Sequence, residues 1–151
     1  MSHSLTKIWI HGIFATHNRE PLIIESIEKS IHNKIRNIII NDLKCPLRII
    51  NGMPDHIHIL FLMNSGITIE DVFKRIKGSS SHWINHGDLI NSKFAWQTGY
   101  GAFSVSESQL DIVEQYIRNQ KEHHKNYSSQ NEYEGFLKNH GILPKTIEIV
   151  L

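Results

Sequence analysis

Cysteine is almost missing from this chain: Cys45 is the only one in 151 residues, which excludes an internal disulfide and any cysteine-built zinc cluster, and fits a reducing compartment. No apolar run approaches the ~20 residues of a membrane span, so no membrane partner is expected. Met1-Ser2-His3-Ser4-Leu5-Thr6-Lys7 lacks the charged-then-apolar layout of a secretory leader, and the expected location is the cytoplasm. A charge excess is lacking too: 16 Lys and Arg against 15 Asp and Glu leave a net charge of +1, no global sign of a nucleic-acid binder. Repeats, low-complexity tracts and linkers are also absent. One domain over residues 1–151 is therefore expected, long enough to bury a core unaided.

Hydrophobic patterning sets out the elements. Lys7 to Thr16 is rich in β-branched and aromatic residues and reads as a strand. Pro21 opens a helix in which Ile23, Ile27, Ile31, Ile35 and Ile38 recur every three or four residues, up to about Leu43. Leu47 to Asn51 and His56 to Met63 read as two strands of an antiparallel hairpin around Gly52-Met53-Pro54-Asp55. Both faces of the second are largely apolar, which predicts a central, doubly covered strand. Thr68-x-x-Asp71 reads as a capping box opening a second amphipathic helix through Val72, Phe73, Ile76, Ser80 and Ile84. Phe94 to Val105, interrupted by Gly99 and Gly101, reads as two short strands or a strand and a bend. Ser108-x-x-Asp111 can cap a helix running toward Lys125, and the tail reads as a short helical piece near 132–138 and an extended end at 147–151. The order is that of an α+β fold, one antiparallel sheet covered by helices.

Chemistry gathers at two places. His56-Ile57-His58 stands at the start of the central strand, where side chains two apart share a face and both imidazoles can reach one ion. Asp55 would face away from them and could orient an imidazole rather than act as a ligand. In the last helix, Tyr116 and Gln120 are one turn apart, about 40° around the axis, at the border of the apolar stripe. Gln120 would add an oxygen donor, leaving coordination positions open for a phosphate oxygen and water, as a catalytic site requires. With two nitrogen donors, Mn²⁺ is at least as suitable as Mg²⁺. Paired histidines at a sheet edge and a boundary tyrosine with a buried ring and wet hydroxyl are the plain structural alternatives.

Positive charge is local. Lys74, Arg75 and Lys77 precede a run from Ser79 to Ser81, and Arg118, Lys121 and Lys125 follow the tyrosine; Lys74, Arg75, Lys77, Ser79, Ser80, Arg118 and Lys121 are candidate DNA contacts, with solvated helix faces the alternative. Trp96, Tyr100 and Phe103 could stack on bases, but a small domain needs them more in its core. His123 and His124 could lie near the metal or simply at an exposed helix end.

Phe14-Ala-Thr-His-Asn-Arg-Glu-Pro-Leu22, Met53-Pro-Asp-His-Ile-His-Ile-Leu60, Phe73-Lys-Arg-Ile-Lys-Gly-Ser-Ser-Ser81, Trp96-Gln-Thr-Gly-Tyr-Gly-Ala-Phe-Ser-Val105, Tyr116-Ile-Arg-Asn-Gln-Lys-Glu-His-His124 and Phe136-Leu-Lys-Asn-His-Gly-Ile142 follow one another in order. Together they resemble the single-domain HUH tyrosine transposases of insertion sequences and their relatives associated with repetitive extragenic palindromes. The resemblance implies a ferredoxin-like (HUH/RRM-like) fold, a homodimer, and single-stranded DNA with hairpin ends as partner. It implies Tyr116 as the nucleophile forming a 5′-phosphotyrosine, and His56, His58 and Gln120 as ligands of a divalent Mg²⁺ or Mn²⁺. His17 stands where relatives often carry lysine, so no DNA contact is carried over there. Two other readings of the same residues are a domesticated, non-mobile protein that binds hairpin DNA without cutting it, and a metal-dependent nuclease that forms no covalent intermediate.

Overall fold

Pro54 and Asp55 form a two-residue turn between β2 (Leu47–Met53) and β3 (His56–Leu62), with Met53 opposite His56, so the expected hairpin is formed. Gly52 is required here: a Cβ on it would collide with the backbone oxygen of His56. The turn is tied down from outside, because the Thr16 N–H donates to the Asp55 carbonyl at 2.9 Å and the Ile23 N–H to that of Pro54 at 2.9 Å. The computed structural model of the chain describes residues 4–125, 131, 135 and 138–140.

β1 (Trp9–Ala15) lies antiparallel between β3 and β4 (Gly101–Val105), which gives a four-stranded sheet in the order β2-β3-β1-β4. Two helices cross over between strands, α1 (Glu25–Asn37) from β1 to β2 and α2 (Ile69–His86) from β3 to β4. This βαββαβ order with β1 and β3 in the middle is the ferredoxin-like arrangement, and β3 is the doubly covered central strand that its apolar faces require. Residues 94–105 hold one strand, not two, since Trp96 contributes only an isolated bridge to Thr16. The expected tail helix near 132–138, apart from residues 135 and 138, and the extended end at 147–151 lie outside the described residues.

The two faces of the sheet are covered differently. Ile10, Phe14, Ile57, Ile59 and Phe61 meet Ile31, Ile35, Val72, Phe73, Ile76 and Ile84 of α1 and α2 in the main core. Gly12 lets α2 approach, because a Cβ there would stand 2.6 Å from the Phe73 ring. The other face carries a smaller cluster of Ile49 and Leu60 against Leu110 and Ile117 of α3 (Leu110–Arg118). Arg48 of β2 ties α3 down through Asp111 at 2.7 Å and Glu114 at 3.6 Å.

Several element boundaries differ from expectation, and contacts distant in the chain set the main ones. α1 starts at Glu25, four residues after Pro21, because the Ile23 hydrogen bond to the hairpin turn keeps residues 22–24 out of helical geometry. It continues past Asn37 as a π-helical turn over Ile38–Asp42. The Thr68 hydroxyl caps α2 by accepting the Asp71 N–H at 3.1 Å, as its sequence indicates, whereas Ser108 bonds to Ser106 and caps nothing. The last helix does not run on to Lys125: it stops at Arg118, and after Asn119 a separate short turn, α4 (Gln120–His123), begins.

Candidate functional site

Buried polar side chains need partners, so where they gather is informative. The described residues include six: His11, Thr16, His56, His58, Ser80 and Gln120. Four of them, His11, His56, His58 and Gln120, gather on the sheet face beneath α3 and α4, and Tyr116 joins them.

The break at Asn119 makes this possible by a different route from a continuous helix. Asn51 of β2 donates through Nδ2 to the carbonyls of Ile117 at 3.0 Å and Arg118 at 3.1 Å, satisfying acceptors that the end of α3 leaves open. Just beyond, Lys121 Nζ donates to Glu28 Oε1 at 2.6 Å, to the Gly52 carbonyl at 2.7 Å and to Asn51 Oδ1 at 3.3 Å. The chain is thereby clamped on both sides of the break, and Gln120 is turned inward, fully buried, with Oε1 3.3 Å from His56 Nε2.

Each histidine is held through its Nδ1. Asp55 Oδ1 lies 2.7 Å from His56 Nδ1, and Asp55 Oδ2 lies 3.4 Å from Arg19, so Asp55 orients the imidazole from the turn that precedes it. Burial by itself would raise the Asp55 carboxyl, but the hydrogen bond and charge of His56 together with Arg19 outweigh it and hold the group below the usual aspartate value. Arg19 reaches Asp55 from a turn in which Asn18 and Arg19 both adopt left-handed backbone, at φ 55° and 57°, a conformation that costs non-glycine residues of order 1–2 kcal/mol each. His58 Nδ1 lies 2.9 Å from Nε2 of His11, a residue of β1 that faces the same way. Burial drives His58 well below the ordinary histidine value, with the neighbouring His11, His56, His124 and Arg19 adding to it. Burial likewise lowers His11 to about 3, helped by His140, so both rings are neutral at neutral pH.

A metal ion fits this donor set. The Asp55 carboxylate takes the Nδ1–H of His56, so a neutral His56 turns a lone pair on Nε2 toward the Gln120 carboxamide oxygen. The 3.3 Å gap between the two can be bridged by a proton on Nε2 or by a cation, and it is about the spacing of two adjacent donors each ~2.1–2.2 Å from one cation. With Nδ1 of His58 engaged by His11, Nε2 is the nitrogen by which His58 would coordinate. No group of three or more His, Cys, Asp or Glu forms a metal cage among the described residues, and the candidate donors are two imidazoles and one carboxamide. Tyr116 lies beside them, half-buried, its ring edge-on to His58 at 5.8 Å and to His11 at 6.3 Å between centroids. His124 also comes close, its ring centroid 5.1 Å from that of His56.

The basic candidates are not brought together. Lys74, Arg75 and Ser79 lie on α2, which covers the opposite face of the sheet. Lys77 Nζ donates to the carbonyls of Gln97 at 2.6 Å and Gly99 at 2.7 Å, and burial lowers it from the usual lysine value. Ser80 must be corrected: it is fully buried, donates to the Ile76 carbonyl at 2.6 Å and accepts the Trp96 indole N–H at 2.9 Å, so it is core and offers nothing to DNA. Lys121, half-exposed, directs its Nζ to Glu28, Gly52 and Asn51 in the clamp. Arg118 is exposed and pairs with Glu114 at 3.6 Å. Trp96 and Phe103 are buried, and Tyr100 stacks on Phe73 with centroids 4.1 Å apart, so all three belong to the core, as a small domain requires.

Residues 4–120 match the family described as "Transposase IS200 like". The chain belongs to that family. An inferred transposase from Deinococcus radiodurans R1 is similar in structure, with a TM-score of 0.62 and 24% identity over 80% of this chain and 95% of that one. A REP-associated tyrosine transposase, solved bound to a REP hairpin, gives a TM-score of 0.59 and 15% identity over 82% of this chain and 74% of its own. No curated protein matches the chain. At these identities the two structures show a shared fold, and the transposase assignment rests on the family match. No described helix is long and apolar enough to cross a membrane.

Proposed function

We propose that this transposase cleaves and rejoins single-stranded DNA through Tyr116. The observation that carries the reading is the convergence of Tyr116 and Gln120, from either side of a helix break, on the two histidines of β3. A buried His-Gln-His set has little structural purpose in so small a core, whereas a tyrosine beside it suits attack on a phosphodiester. The tyrosyl oxygen forms a bond to phosphorus, the P–O3′ bond breaks, and the 3′-oxygen leaves as a hydroxyl. The DNA is left joined through its 5′-phosphate to Tyr116, and attack by another 3′-hydroxyl restores the tyrosine. One ester replaces another, so no nucleotide cofactor is needed.

His56, His58 and Gln120 would hold a divalent ion, Mg²⁺ or Mn²⁺, which supplies Lewis-acid stabilisation of charge developing on the phosphate. Asp55 and Arg19 fix the His56 ring, and the Asn51–Lys121 clamp sets Gln120. Recognition of hairpin ends is part of the proposal, supported by the structurally similar transposase whose structure contains such a hairpin. Action as a homodimer is also part of it. The exposed cations Lys74, Arg75 and Arg118 are the DNA contacts most open to test, with Ser79 beside the α2 pair.

The test incubates wild-type protein and Tyr116→Phe with 3′-labelled single-stranded DNA from the flanking locus and Mn²⁺, followed by a denaturing protein gel. The expected result is a labelled band at protein mass that the variant lacks. Cleaved DNA without the band would replace the reading by hydrolysis. A native-gel shift without cleavage would replace it by hairpin binding alone.

A further inference from the structure

His11 has no place in the reading above, yet it is fully buried in the middle of β1 with its Nε2 2.9 Å from His58 Nδ1. A buried imidazole in an otherwise apolar strand costs stability unless it is hydrogen-bonded, and the bond it makes here is to His58. We propose that His11 is a positioning residue that selects the tautomer of His58 able to bind the metal ion. This rests on His58 being a ligand.

One proton must lie between the two nitrogens, and there are two ways to place it. If His11 Nε2–H donates, the lone pair of His58 is consumed at Nδ1 and its own proton sits on Nε2, which blocks coordination there. If His58 Nδ1–H donates, His11 accepts at Nε2 and carries its proton on Nδ1, and His58 turns a lone pair outward on Nε2. A ligated cation admits only the second arrangement. The same bond also fixes the ring plane of His58, whose centroid lies 5.1 Å from that of His56. Partners of this kind behind a metal-bound histidine are worth roughly 10- to 100-fold in metal affinity. The two histidines are thus oriented independently, His56 by the Asp55 carboxylate and His58 by the neutral ring of His11.

Two substitutions separate positioning from mere packing. A glutamine at 11 can place its carboxamide oxygen near the position of the imidazole Nε2 and accept the His58 Nδ1–H, whereas a leucine fills the space and accepts nothing. Calorimetric titration with Mg²⁺ and Mn²⁺ should show affinity falling roughly 10- to 100-fold in His11→Leu and returning to within a few-fold of wild type in His11→Gln, without the melting temperature following that order. Unchanged affinity in a folded His11→Leu would overturn the proposal. Should His11→Leu fail to fold, histidine ¹⁵N spectra of the wild-type protein with saturating Mg²⁺ decide the matter: the proton on Nδ1 of both His58 and His11 is expected, and a proton on Nε2 of His58 would overturn the proposal. His58→Ala keeps the two failures apart. If it binds metal as wild type does, His58 is not a ligand and the underlying reading falls; if it loses metal while His11→Leu does not, only the role of His11 falls.

Discussion

Ile57, Ile59 and Phe61 of β3 point into the core beneath α1 and α2, whereas their alternate neighbours His56 and His58 point beneath α3 and α4. β1 divides in the same way, with Ile10 and Phe14 on the core side and His11 on the other. The two-residue period of a strand lets one element serve stability and chemistry at once. The core face is lined by apolar strand residues and covered by long helices of 13 and 18 residues. The site face has a small apolar cluster, a nine-residue helix and a four-residue turn, and depends on polar clamps to hold its parts in register. Substitutions on the two faces should therefore fail differently.

The largest expected effect is on the site face. Tyr116→Phe should lower covalent-adduct formation by roughly 10³-fold or more while leaving the thermal midpoint near that of wild type, since only an edge hydroxyl is removed. The converse substitution lies on the core face: Phe73→Ala should cost about 3–5 kcal/mol in denaturant unfolding while the folded fraction keeps its metal affinity. Comparable losses of metal binding and stability in Phe73→Ala would erase the distinction between the faces. Gln120→Ala should raise the metal concentration needed for cleavage at least about tenfold, read by titration of activity and by calorimetry.

Acidification sharpens the contrast further. His11 titrates near 3 and His32 near 4 in the folded protein, both lowered chiefly by burial from an ordinary 6.5, so between those values the unfolded chain binds more protons than the folded one. Their contribution is fully present above about pH 6.5 and is lost as pH falls, with a slope of up to about 1.4 kcal/mol per pH unit for each group. His11→Leu should flatten that acid limb, measured as unfolding free energy against pH. The smallest effect is that of Lys121→Met: a half-exposed ion pair and its hydrogen bonds should be worth under about 1 kcal/mol, with a modest loss of metal affinity as Gln120 loosens. The salt dependence of DNA binding should stay the same. A shallower salt slope would make Lys121 a phosphate contact rather than a clamp.

Much of this was legible in the residues. The hairpin followed from Gly52 to Asp55, the central strand from its two apolar faces, and the α2 cap from Thr68. The orienting role of Asp55 followed from its place beside His56, not from strand alternation, since it lies in the turn. The break at Asn119 was not legible, because Tyr116 and Gln120 keep a helical spacing whether or not the helix continues; what ends it is Asn51, a residue of β2. His11 was passed over for a similar reason, as its bond to His58 depends on how β1 registers against β3. Ser80 had two readings, on the apolar stripe of α2 and in a polar run beside lysines, and its burial against Trp96 decides for the stripe. In each case the deciding partner is distant in the chain.

The central claim is that the site face carries a tyrosine nucleophile, and mapping the adduct tests it most directly. Wild-type protein is reacted with single-stranded DNA from the locus, the DNA is trimmed to a short stub, and the protein is cleaved after glutamate. This releases peptide 115–122, whose sole tyrosine is Tyr116. Fragmentation in the mass spectrometer should find the nucleotide stub on Tyr116. A stub on any of the other three tyrosines, Tyr100, Tyr127 or Tyr133, or cleaved DNA with no stub on the protein, would contradict the account.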